Sequence, residues 1–115
     1  MKSKQSHAQE IASLIDQLQY SFPSYCYTLF GSRARGTDKK YSDFDIGIYC
    51  KDKIDFAAYS KLLNLVGDWN ENELSTVQLV NLNEADPDFL NEIRKDLIFL
   101  SGNYGSWIKL NEKQD

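Results

Sequence analysis

Apolar residues along this chain recur first with a helical period and then with a strand period. Ile11, Leu14, Ile15 and Leu18 have helical spacing and predict a helix over residues 7–20, with Ser6 and Gln9 set as a capping box. His7 stands one turn before Ile11 at the edge of that stripe. With no second His or Cys near it, it reads as an ordinary partly buried histidine rather than a ligand. Beyond Phe22-Pro23-Ser24, the short aromatic-rich run Tyr25 to Phe30 predicts a buried strand that stops at Gly31. From Asp43 to Cys50 the chain alternates strictly. Phe44, Ile46, Ile48 and Cys50 fall on one face of a strand, and Asp43, Asp45, Gly47 and Tyr49 on the other.

The second half repeats the alternation of element types. Asp55 caps a helix whose Phe56, Tyr59, Leu62, Leu63 and Val66 share a face, with Gly67 as its C-terminal cap. Residues 76–82 form a third strand on which Thr76, Gln78 and Val80 point one way. Asp86-Pro87 opens a last helix to about residue 95, with Phe89, Leu90 and Ile93 facing inward, and residues 97–100 add an edge strand. Residues 101–115 read as a loose tail whose Trp107 and Ile108 dock on the body or on a partner. Strands alternating with helices predict an α/β (α+β) architecture, a small sheet covered by helices in one domain spanning residues 1–115.

Composition narrows this picture. At 42% hydrophobic and 26% charged the chain is globular material. A formal net charge of −4 excludes a general nucleic-acid coat, so any phosphate binding is local. Locality is visible in the cations: Arg33, Arg35, Lys39, Lys40, Lys51 and Lys53 gather within one stretch. Cys26 and Cys50 have no metal spacing and read as reduced, buried thiols. No apolar run approaches the ~20 residues that span a bilayer, and the N-terminus lacks a signal-peptide core. The expectation is a cytoplasmic protein without a membrane partner. Self-association stays open.

The chemistry concentrates in residues 31 to 49, GSRARGTDKKYSDFDIGIY. Gly31 after a strand lets the backbone turn sharply and lets a ligand approach it, while Ser32 offers a hydroxyl and an N–H at a helix start. Arg33 and Arg35 add charge for a triphosphate, although arginines near a helix start are often plain solvated surface. Asp43 and Asp45, two apart on a strand, project from one face. Two like charges held so need a cation. A pair of divalent metals about 3.5–4 Å apart bridged by carboxylates activates an attacking oxygen and neutralises a leaving phosphate, and hard oxygens select Mg²⁺ or Mn²⁺. An Asp-x-Asp alone fits the solvent face of an edge strand equally well. The preceding Gly-Ser turn, which brings phosphate and metal together, tips the balance.

Gly31-Ser32-Arg33-Ala34-Arg35-Gly36-Thr37 followed by Ser42-Asp43-Phe44-Asp45-Ile46 resembles the signature of the minimal nucleotidyltransferases (MNT) of the DNA polymerase β superfamily. The resemblance implies the nucleotidyltransferase fold, with a small mixed sheet of three to four strands. It implies that Gly31 and Ser32 hold the phosphates of a nucleoside triphosphate such as ATP, and that Asp43 and Asp45 are catalytic residues and metal ligands. Arg33, Arg35, Lys39, Lys40 and Ser42 would assist in nucleotide binding. Short members of the family resemble the MNT antitoxins, which bind a HEPN-domain toxin, and some of them transfer AMP onto it. In the run Val77-Gln78-Leu79-Val80, Gln78 stands where the family carries a third carboxylate. Glutamine can ligate through its carbonyl but takes no proton at neutral pH. Glu71 and Glu73 upstream look like the solvated end of a loop. The resemblance therefore predicts a transfer of AMP from ATP to an acceptor hydroxyl on a HEPN-type partner. The alternative is a weakly active or inactive binding module that neutralises its partner by complex formation.

Overall fold

The structure, a computed structural model, describes residues 9–40, 42–73 and 75–112. Ser6 of the expected capping box, His7 and the end of the tail from residue 113 lie outside the described residues. The first helix is α1 (Ala12–Ser21), which buries Leu14, Ile15 and Leu18 as its spacing predicts. Its C-terminus is tied down by a strand residue, because the Tyr27 hydroxyl shares its one hydrogen between the carbonyls of Leu18 and Phe22, at 2.9 and 2.8 Å. Strand β1 (Cys26–Phe30) is buried along its whole length. It ends at Gly31, where the short helix α2 (Ser32–Arg35) begins between two glycines, Gly31 and Gly36, both at φ 79°.

Strand β2 (Phe44–Tyr49) keeps the expected alternation, with Phe44, Ile46, Ile48 and Cys50 buried. Helix α3 (Phe56–Asn70) starts at Asp55, whose carboxylate accepts from the Ala58 N–H at 2.8 Å. Two expectations for α3 are corrected. Its buried stripe is Ala58, Leu62 and Val66, whereas Phe56 is 85% and Leu63 43% exposed. Steps of four residues drift little on a 3.6-residue period, so this stripe faces the sheet and turns Phe56 outward. Nor does Gly67 end the helix. Trp69 beyond it packs against the core, and Asn70 pairs with Val77 like a strand neighbour, donating to its carbonyl at 3.0 Å and accepting from its N–H at 2.8 Å.

That clamp launches β3 (Val77–Asn81). Asp86 then caps α4 (Pro87–Arg94) at the Asp88 N–H, with Pro87 in the first turn. Strand β4 (Ile98–Gly102) follows at the sheet edge. The loose tail is also corrected: α5 (Tyr104–Leu110) is capped by Asn103 and buries Ser106 and Leu110. It docks because Ser106 Oγ accepts from the Lys51 N–H at 3.1 Å and Trp107 packs on the body, while Ile108 stays exposed.

The sheet is mixed and four-stranded, in the order β3-β2-β1-β4. Strand β1 runs antiparallel to β2 and β4, and β2 parallel to β3. One face, with Tyr27, Leu29, Phe44, Ile46 and Ile48, packs on α1 and α3. The other carries a smaller cluster in which Ile93 of α4 and Leu110 of α5 pack on Phe30 and Leu82. Cys26 and Cys50 are both free and buried, and burial pushes the Cys26 thiol up to about 12. Among the described residues no helix is long and apolar enough to cross a membrane.

Candidate active site

The second face of the sheet is covered unevenly. Along β2, Tyr49 packs into the α4/α5 cluster and Gly47 lies under Leu82, so close that a Cβ on it would sit 2.6 Å from a Leu82 methyl. Towards the start of the strand that cover ends. Asp45 and Asp43 occur there, Asp45 half-buried and Asp43 exposed. The alternation that buries Phe44 and Ile46 turns both carboxylates to the uncovered side.

Register brings the other candidates to the same place. Asp45 pairs with Phe30 at the end of β1 and with Gln78 near the start of β3. One residue beyond Phe30, Gly31 comes so close that a Cβ would stand 2.3 Å from Asp45 Oδ2. Together with the positive φ, this contact makes glycine the residue the turn accepts. Ser32 follows as the first residue of α2, where the leading N–H groups have no partner within the helix. On the far side of Asp45, Gln78 is exposed and its Nε2 donates to Asp43 Oδ2 at 3.2 Å. Gly31, Ser32, Asp43, Asp45 and Gln78 thus meet at one end of the sheet.

The basic residues divide. Arg33 is corrected: it is 2% exposed and turned into the body, not toward a triphosphate. Its Nε and Nη2 donate to the Ser42 carbonyl at 3.2 and 2.8 Å, Nη2 to Ser75 Oγ at 3.2 Å and Nη1 to Asp38 Oδ2 at 3.1 Å. Its guanidinium lies 4.1 Å from the centroid of the Phe44 ring. Ser42, whose Oγ accepts from the Lys39 N–H at 2.7 Å, closes the same loop and serves it structurally. Arg35 remains at the rim, about half exposed and 3.9 Å from Asp96 Oδ2. Lys39 and Lys40 are exposed on the loop between α2 and β2. Glu71 is the C-cap of α3 and Glu73 lies exposed in the turn after it.

One wall of this site has no signal in the local sequence. Beside Gly31 opens a cleft of about 420 Å³, lined by Phe30 and Arg35 on one side and by Phe89, Ile93 and Asp96 on the other. Its size lies in the ordinary range for small-molecule sites. Phe89 meets Phe30 edge-on, with ring centroids 5.7 Å apart. Phe89, expected to face inward, is instead 37% exposed and lines this cleft.

Burial raises the Asp45 carboxyl above its ordinary value; the neighbouring Asp43 carboxylate raises it further and Arg35 draws it back down. In the ligand-free protein the native state therefore binds a proton that the unfolded chain has already lost, and stability falls as pH rises through that window. Asp45→Asn removes the half-buried charge. Its expected effect is a thermal midpoint a few degrees higher at neutral pH, with the gain shrinking as the pH is lowered and wild-type Asp45 becomes protonated. Thermal melts at several pH values check this. An unchanged midpoint at neutral pH would mean that water screens the charge fully.

Residues 10–103 match the model of the family described as Polymerase beta, Nucleotidyltransferase. A probable protein adenylyltransferase MntA from Haemophilus influenzae is 35% identical over 89 residues, which cover 76% of this chain and 75% of that protein. Among solved structures, a toxin–antitoxin crystal structure with AMP-PNP aligns with TM-score 0.65 and 25% identity over 86% of this chain and 79% of that one. A tri-AMPylated Shewanella oneidensis HEPN toxin in complex with MNT antitoxin aligns with TM-score 0.58 and 22% identity over 95% of this chain and 81% of that one, a likeness of fold.

Proposed function

The chain belongs to the polymerase β nucleotidyltransferase family, and from that membership we propose that it transfers AMP from ATP to an acceptor hydroxyl on a HEPN-type toxin, acting as its antitoxin. The observation that carries this reading is the single position of Asp45, against the Gly31 turn on one side and opposite Gln78 on the other. A relative is described as a protein adenylyltransferase, and a solved toxin–antitoxin relative was crystallised with AMP-PNP. Use of ATP suits a cytoplasmic protein.

The residues support a division of labour. Gly31 keeps the space beside Asp45 open, since any Cβ there would fill it. The Ser32 hydroxyl and the first N–H groups of α2 suit the β- and γ-phosphates. Arg35, Lys39 and Lys40 add positive charge at the rim. The cleft between Arg35 and Phe89 has room for the remainder of the nucleotide. Asp43 and Asp45 would hold Mg²⁺ or Mn²⁺, because two hard carboxylates together with triphosphate oxygens match such ions. When bound, the ion neutralises charge on the reacting phosphates. In the reaction the acceptor hydroxyl loses its proton to solvent as its oxygen bonds to the α-phosphorus, the bond from that phosphorus to the bridging oxygen breaks, and pyrophosphate leaves with that electron pair. Gln78 takes no proton from the acceptor, since an amide has no capacity for one at neutral pH.

Incubation of the chain with ATP, Mg²⁺ and a HEPN toxin should add AMP to the toxin, read by intact mass. Gln78 favours a second reading, in which neutralisation needs only the complex. A chain with both Asp43→Asn and Asp45→Asn that still silences the toxin fully would support that second reading over the first.

A further inference from the structure

We infer that this site holds one divalent cation, the one that arrives with the nucleotide, because the Gln78 amide occupies the carboxylate oxygen that a second cation would need. The inference rests on the nucleotidyltransferase reading above. Residue 78 lies directly across the parallel β2–β3 pairing from Asp45. From there its Nε2 donates to Asp43 Oδ2 at 3.2 Å. The positive end of the amide dipole thus lies against that oxygen. A cation cannot share the oxygen from the same side without breaking the hydrogen bond, and a rotated amide would offer it only a neutral oxygen.

Charge works in the same direction. Two divalent ions side by side repel each other with roughly four times the energy of two single charges at that distance, so a paired site needs several anionic groups between them. Here β2 and the residue before it supply two, Asp45 and Asp43, while Asp96 across the neighbouring cleft faces Arg35. Among the described residues no group of three or more His, Cys, Asp or Glu side chains could hold a metal ion. The nearest carboxylates upstream of β3, Glu71 and Glu73, belong to the exposed end of α3 and the turn after it.

The test counts ions. The full chain is saturated with a non-hydrolysable ATP analogue and titrated with Mn²⁺, and bound Mn²⁺ is measured by electron paramagnetic resonance against bound nucleotide. Wild type should saturate at one Mn²⁺ per bound analogue with an uncoupled spectrum. Gln78→Asp and Gln78→Glu should each saturate at two, with the broadened spectrum of an interacting pair; the exposed position of residue 78 lets the fold accept either change. Two ions in wild type, or one in both variants, would overturn the inference while leaving the transferase reading intact. Failure of wild type to bind the analogue at all would overturn both.

Discussion

Asp45→Asn should abolish AMP transfer while leaving a folded chain. The expected loss is on the order of 10³-fold or more, because the variant removes half of the anionic charge that would hold a cation against the phosphates, in a site where charge stabilisation is the main catalytic device. The substitution is nearly isosteric and sits at a strand position whose backbone pairing with Phe30 and Gln78 does not involve the side chain. Circular dichroism should therefore be unchanged, and the ligand-free variant should melt higher than wild type for the electrostatic reason given above. Activity and stability then move in opposite directions from one residue. Single-turnover transfer from labelled ATP provides the measurement, and labelling at the wild-type rate would remove Asp45 from the mechanism.

The second large effect is structural. Arg33→Met should lower stability by about 3 kcal/mol or more, seen as a fall of roughly 10 °C in the thermal midpoint. Arg33 is almost wholly buried, and its guanidinium serves the Ser42 carbonyl, Ser75 Oγ and the Asp38 carboxylate at once while stacking on Phe44. Methionine fills much of the volume but leaves those part-buried acceptors without their shared donor, and unmet buried acceptors are costly. Arg33→Lys should recover little, since one ammonium cannot reproduce a planar fork with donors in several directions. Ser42 immediately precedes Asp43, so the same variants should also loosen the carboxylate and reduce transfer. Urea unfolding decides the matter. A loss below about 1 kcal/mol for the methionine variant would show that the buried bonds contribute little beyond what water supplies in the unfolded chain.

Period-two alternation placed Asp43 and Asp45 opposite Phe44 and Ile46, and the strand obeys it. Asp55 and Asp86-Pro87 marked helix starts because caps act within a few residues of themselves. In sequence Arg33 resembles Arg35, two positions on, and so looks like a phosphate ligand. Its actual partners reach as far as Ser75, and no local pattern reveals a bond across 42 positions. Gly67 looks like a helix end because a glycine favours one locally, but Trp69 packs on the core and Asn70 clamps Val77, contacts that reward another turn. The tail became α5 because Lys51 and the Leu82 cluster await it, far upstream of Tyr104.

By itself, then, the sequence determined the elements, the alternating faces and the run from Gly31 to Asp45, because turn chemistry, capping and strand periodicity are set by residues adjacent to one another. Only the tertiary structure decided that Gly31 meets Asp45, that Gln78 donates to Asp43, that Arg33 is a buried brace and that Phe89 walls the cleft. Each of these depends on strand register or on burial by a distant segment, and both are fixed only when the whole sheet and its helices close together.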